Sequence, residues 1–221
     1  LDSIDNLLDE LIKEKIKIDV FVSNAAVVLL KSRQTKQGLE EMFMVNYLAP
    51  FYLINKCIEN NIINENGRIV IVASESHRNS KSFDLDLIDG YREYGLNETV
   101  AMYGYYKMLL VSFAKTLSEK HPEFVVKSLC PGPVNSKIAR EAPQWMTPLL
   151  KVVFSAFFRS PEKACEPVVY FSAKNNLSEE FAYLYLMNYK EIDPKTNDDK
   201  NGELLWKKSH EIVKTSGFSL Q

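Results

Sequence analysis

The sequence predicts an α/β fold in which a largely parallel sheet is covered by helices on both faces. Three observations lead there. Short aliphatic runs alternate with longer stretches of helical periodicity, the signature of repeated strand–helix units. The run Gly67-Arg-Ile-Val-Ile-Val-Ala-Ser74 is apolar on both sides, as a strand must be when helices pack on each face. The 221 residues are 46% hydrophobic and 25% charged, a balance that fills the core of one domain.

The elements follow in order. Residues 3–16 form an amphipathic helix, with Ile4, Leu7, Leu8, Leu11 and Ile12 at helical spacing. Residues 18–23 form a short strand. A helix over 37–62 carries Leu39, Met42, Phe43, Asn46, Tyr47, Pro50, Leu53 and Ile54 on one broad face, and Pro50 kinks or divides it. The second strand is 67–74. Residues 78–97 are polar, contain Gly90 and Gly95, and read as a loop. A long helix spans 98–120, and a third strand spans 124–130. Residues 134–159 are irregular with short helices. A helix over 161–174, a strand over 181–187, a loop from Asp193 to Gly202 and a helix over 203–214 complete the chain. No internal repeat or interdomain linker is visible, so residues 1–221 are expected to form one domain.

Composition narrows the function. With 27 basic and 29 acidic side chains interspersed, there is no basic block, and nucleic acid is not expected as a partner. Three widely spaced cysteines make neither a disulfide framework nor a Cys-rich metal site, and fit a reducing compartment. No apolar run reaches the roughly 18 residues of a membrane span. The chain starts at Leu1 without a signal peptide, so a targeting segment upstream is left open. None of the 8 glycines forms a Gly-x-Gly, so these residues hold no Gly-rich phosphate cradle. His77, His121 and His210 have no metal-ligand spacing. His77 reads as a surface residue, with the entrance of a substrate site as the alternative. Cys130, Trp145 and Trp206 read as packing residues.

The residues with chemical promise gather at strand ends. Tyr103 and Lys107 are four apart on a helix and share a face. A cation beside a phenol favours the phenolate and lowers a pKa otherwise near ~10. The spacing alone also suits an ordinary surface pair. Ser74 ends a buried strand, where α/β sheets place ligands. Its hydroxyl suits donation to an oxygen that gains negative charge, or it simply caps the next turn. Asn24 ends another strand, and Pro131-Gly132 follows a third. Asn46 sits in a helix, where Asn is a poor former. It either holds a water or a carbonyl locally or faces solvent.

Taken together, these residues resemble the short-chain dehydrogenase/reductase family in type, order and spacing. Ser23-Asn24-Ala25-Ala26 is similar to its Asn-Asn-Ala-Gly motif. Val45-Asn46 resembles the helix with the tetrad Asn, and Gly67 to Ser74 the fifth strand with the catalytic Ser. Tyr103 to Lys107 matches Tyr-x-x-x-Lys, and Pro131-Gly-Pro-Val-Asn-Ser136 resembles the loop that closes over nicotinamide. Ala73 to Arg78 and Leu204-Leu205-Trp206 are most like the retinol dehydrogenase and WW-domain oxidoreductase branch.

The resemblance implies a Rossmann-like doubly wound parallel sheet of which this chain supplies the C-terminal portion, strands 4 to 7 of the family order. The preceding βαβαβ segment, with its pyrophosphate-binding turn, is expected upstream of Leu1. A processed product or a degenerate paralogue are the alternatives. The edge of the fourth strand is then expected to be exposed. By the same resemblance Asn46, Ser74, Tyr103 and Lys107 are catalytic, with Tyr103 as acid/base, Lys107 lowering its pKa, Ser74 polarising the substrate oxygen and Asn46 holding a relay water. Asn24, Ala25, Ala26, Tyr103, Lys107, Pro131, Gly132, Val134 and Ser136 bind the cofactor, NADP or NAD, with NADP favoured by the branch.

The implied reaction interconverts a carbonyl and an alcohol on a lipophilic small molecule. A homodimer is expected for the full-length protein, in the cytoplasm or on the cytosolic face of a membrane. Pro148 to Phe158 reads as a substrate lid, with membrane contact as the alternative. Ala26 replaces the family Gly and adds a methyl on the adenosine side. Tyr106 stands where a small residue is usual before the Lys, so its ring must enter either the packing or the substrate space. A non-catalytic binding or regulatory module is the second reading.

Overall fold

A computed structural model describes residues 1–134 and 158–220. Helix α1 is Asp2–Lys13 and strand β1 is Ile18–Ser23. The next helix, α2, has three joined pieces. Glu41–Phe43 is α-helical, Met44–Leu48 is a π turn, and Ala49–Glu59 is α-helical again with Pro50 at its start. The division expected at Pro50 therefore takes the form of a wide turn just before it. A proline has no N–H to give the preceding turn, and a π turn accommodates that loss.

Strand β2 is Ile63–Val72, longer at its start than the apolar run suggested. Two short 3₁₀ turns, Glu75–Asn79 and Leu85–Ile88, occupy the stretch read largely as loop. Helix α3 is Leu96–Lys120, β3 is Val125–Cys130, and α4 is Pro161–Ala173. Strand β4, Ala182–Tyr185, turns back into the two-residue β5, Asn188–Tyr189. Helix α5, Asp199–Thr215, begins four residues earlier than expected. Asp198 caps it by accepting from Asn201 N–H at 2.9 Å. Gly202, read as loop, lies inside the helix, at a point where any β-carbon would stand 2.2 Å from Thr116 Oγ1 of α3.

The sheet order is β1-β2-β3-β4-β5, with the first four strands parallel and β5 antiparallel to β4. The double-sided apolar pattern of β2 sets the layers. Ile69 and Ile71 join the large cluster formed with α2, α3 and α5, whereas Val70 and Val72 meet Phe171 of α4 on the other face. Among the described residues no strand pairs with the outer edge of β1, where Val22 is exposed. Also among these residues, no helix is long and apolar enough to cross a membrane. Trp206 packs as expected, edge-on to Phe51 and under the Lys120 ammonium.

Candidate active site

All four parallel strands aim their C-terminal ends at one cleft of about 850 Å³. β1 delivers Asn24, Ala25 and Ala26; β2 delivers Ser74; β3 delivers Cys130 and Pro131 to Val134; β4 delivers Tyr185. Helix α3 brings Tyr103 and Lys107 to the same space. This is the crevice where an open α/β sheet holds its ligands. Each of these residues read from the sequence thus has a place in one site. Ser136 lies outside the described residues, as do Trp145 and the segment Pro148 to Phe158 except for Phe158 itself, which lines the cleft.

Of the two readings of Ser74, the capping one is seen directly. The residue faces the cleft, and its hydroxyl caps the Glu75–Asn79 turn by accepting from Ser76 N–H at 3.2 Å. The Ser76 hydroxyl also donates to it, at 2.7 Å. The turn lies tight against α3. A β-carbon at Gly104 would sit 2.6 Å from the Ser76 carbonyl oxygen. Gly104, next to Tyr103, packs behind the site and was missed by motif reading, because only the close approach of turn and helix reveals it.

His77 was misplaced by sequence reading. It is fully buried, neither at the surface nor at an entrance. One ring nitrogen, Nδ1, lies 2.7 Å from the Ser74 carbonyl oxygen, while Nε2 accepts from Asp193 N–H at 3.4 Å. An accepting Nε2 makes Nδ1–H the donor, so the ring is neutral in this arrangement. Burial depresses its pKa, partly opposed by the bond to Ser74. The imidazole thus pins the backbone of Ser74 to the loop beyond β5.

The Tyr103–Lys107 pair shows the largest departure from expectation. The Lys107 ammonium is 5.9 Å from the Tyr103 ring centroid, and it donates to the Val72 carbonyl oxygen at 3.0 Å. Lys107 is only 2% exposed, and desolvation lowers its pKa to about 8. The Tyr103 pKa is not lowered. Burial raises it to about 12, with the neighbouring Ser74 hydroxyl acting the other way. Loss of water from the phenolate outweighs the help of its neighbours, so the phenol holds its proton at neutral pH.

Asn46 faces no solvent. Its Oδ1 accepts from Val27 N–H and its Nδ2 donates to the Val27 carbonyl, both at 2.8 Å. The amide thereby shapes the cleft wall after β1, where Val27 itself is a lining residue. Tyr106 points away from the cleft into the core, packed on Phe43 and Tyr105. Its bulk is taken up by packing and does not enter the substrate space. Cys130 is a buried thiol that also lines the cleft. Gly132 has φ +80°, a conformation glycine adopts freely, and a β-carbon there would meet Leu186 Cδ2 at 2.6 Å.

The fold and site define an α/β protein with an open strand-end crevice that holds a Ser–Tyr–Lys cluster. The model of the short chain dehydrogenase family matches residues 1–83. Mouse (Mus musculus) retinol dehydrogenase 13 is 28% identical over 220 residues, covering 96% of this chain and 65% of that protein. The WW domain-containing oxidoreductase of Drosophila melanogaster is 28% identical, covering 96% of this chain and 53% of its own length. The chain therefore spans between half and two thirds of these curated relatives. A crystal structure of an uncharacterised Mycobacterium paratuberculosis protein superposes with TM-score 0.67 at 16% identity, covering 97% of this chain and 72% of that one. The chain is thus similar to the short-chain dehydrogenase/reductase family, and among its members to the retinol dehydrogenase and WW-domain oxidoreductase branch.

Proposed function

We propose that the protein is a nicotinamide-dependent oxidoreductase that reduces a lipophilic carbonyl compound to an alcohol, with Tyr103 as the proton donor. The observation that carries this reading is the convergence of Ser74, Tyr103 and Lys107 on one strand-end cleft. The cofactor, when bound, supplies the hydride. Lys107 fits such a ligand. Its buried ammonium has one acceptor among the described residues, the Val72 carbonyl, so two of its three N–H groups are left for ribose hydroxyls. Asn24, Ala25, Ala26 and the Pro131–Val134 loop provide the small, close walls a dinucleotide needs. Ser136 completes that set in this reading, and NADP is the first cofactor to test.

A protonated phenol suits the reductive direction of the reaction. A phenol with a pKa of about 12 is an acid at neutral pH, ready to deliver its proton to a carbonyl oxygen as negative charge builds there. The Ser74 hydroxyl donates to the same oxygen and orients it. Asn46 keeps Val27 in place along the wall. Val134, Phe158, Ala164 and Val168 give the cleft an apolar side, which suits a lipophilic substrate, as does likeness to a protein named for retinol.

The test is Tyr103→Phe in the full-length protein, with the cofactor-binding segment expected before Leu1 in place. We expect consumption of NADPH with a lipophilic aldehyde to fall at least a hundredfold, with cofactor binding, read by NADPH fluorescence, retained. Undiminished turnover in Tyr103→Phe would remove the assignment.

A further inference from the structure

Ser74 Oγ receives two hydrogen bonds from the same residue. The Ser76 N–H donates at 3.2 Å and the Ser76 hydroxyl at 2.7 Å. A hydroxyl oxygen has two lone pairs and one proton. With both lone pairs engaged, Ser74 cannot accept from the Tyr103 phenol, and its remaining hydrogen-bonding capacity is its own O–H. The backbone amide alone already caps the turn, so the second donor is not needed to terminate the strand.

Ser76 is also firmly held. Its carbonyl oxygen lies against Gly104 of α3, close enough that a β-carbon there would stand at 2.6 Å. The next residue, His77, is buried and bonded to the Ser74 carbonyl at 2.7 Å. Ser76 can therefore act as a fixed donor to a fixed acceptor.

We propose that Ser76 is a positioning residue for Ser74: its hydroxyl occupies the second lone pair of Ser74 Oγ and thereby commits the Ser74 proton to the substrate oxygen. This rests on the reading of Ser74 as a donor to that oxygen. Without the Ser76 hydroxyl, Ser74 is free to turn and accept from Tyr103. The phenol proton is then drawn away from the carbonyl it should reach, and the oxyanion loses one aligned donor. The loss falls on the transition state more than on substrate binding.

The experiment is a double-mutant cycle on carbonyl reduction with NADPH in the full-length protein, in Ser76→Ala, Ser74→Ala and the double variant, with Ser76→Thr as the hydroxyl-bearing control. Circular dichroism confirms that each variant folds. Losing one aligned hydrogen bond in the transition state is expected to cost about tenfold in kcat. KM should stay within about twofold, and Ser76→Thr should restore most of kcat. In the Ser74→Ala background, Ser76→Ala should have no further effect, because the hydroxyl it orients is gone. The inference is overturned if Ser76→Ala keeps wild-type kcat, or if its effect is undiminished in the Ser74→Ala background. If Ser74→Ala itself turns over like the wild type, the functional reading of Ser74 falls and this inference falls with it. That result is distinct from a normal Ser76→Ala beside a crippled Ser74→Ala.

Discussion

Replacing Lys107 with methionine should make the protein more stable and, on the proposed function, inactive. Lys107 is fully buried beneath the cleft, and its pKa falls from 10.5 to about 8 because burial penalises the ammonium. At ~1.36 kcal/mol for each tenfold change, holding that charge in the folded state at neutral pH costs about 3 kcal/mol. Methionine fills a similar volume without the charge, and loses the hydrogen bond to the Val72 carbonyl, which stabilises by about 1 kcal/mol. The net gain at pH 7.5 is about 2 kcal/mol, a rise in melting temperature of roughly 4–8 °C for a chain of this size.

The pH dependence has a definite sign. Between about pH 8 and 10.5 the unfolded chain binds a proton at Lys107 that the folded protein has lost. Wild-type stability therefore rises with pH in that window relative to the variant. Above it the lysine is neutral in both states, and only the lost hydrogen bond separates the two proteins. Urea unfolding followed by circular dichroism at pH 7.5 and above pH 10.5 should show the variant more stable at the lower pH and slightly less stable at the higher. A variant less stable at pH 7.5, or a difference independent of pH, would refute the reasoning.

Two further outcomes follow from the packing beside Ser74. Gly104→Ala should destabilise the protein by roughly 1–3 kcal/mol and lower kcat more than tenfold, because its methyl must push the Ser76 carbonyl away; unchanged kinetics would show that the turn moves freely. His77 is held neutral, so its contribution is full above its ordinary pKa of 6.5 and is lost as pH falls below it. His77→Asn keeps a donor for the Ser74 carbonyl but cannot be protonated. Its urea midpoint should drop less between pH 8 and 5 than that of the wild type, and equal drops would count against the assignment.

The fold was legible because hydrophobic pattern dictates it. Residues 67–74 had to be buried on both faces, and β2 does place Ile69 and Val70 on opposite sides of the sheet. Boundaries were less so. The start of α5 depends on the Asp198 cap, and the contact between Gly202 and Thr116 exists only once two helices cross. For the site, strand ends marked where Ser74 and Asn24 would meet Tyr103 and Lys107. Their electrostatics could not be read from spacing. A lysine four residues on promises a lowered phenol pKa, yet burial of both groups reverses the result for Tyr103. His77 eluded sequence reading for a similar reason. A lone histidine in a polar stretch gives no sign that Asp193, 116 residues away, will donate to it.

The same spacing occurs twice more in the chain, at Tyr52–Lys56 and at Tyr170–Lys174. Tyr170 and Lys174 sit at the end of α4, with the lysine bonded to the phenol and Tyr189 alongside at 3.2 Å. There the lysine hydrogen bond lowers the tyrosine pKa. One spacing thus accompanies opposite shifts: a phenol pKa lowered at Tyr170 and raised at Tyr103 inside the crevice. The molecule carries its own reference compound for Tyr103. The shift follows from what surrounds each phenol, which is burial first at both Tyr103 and Tyr52 and the lysine hydrogen bond first at Tyr170, and not from the motif.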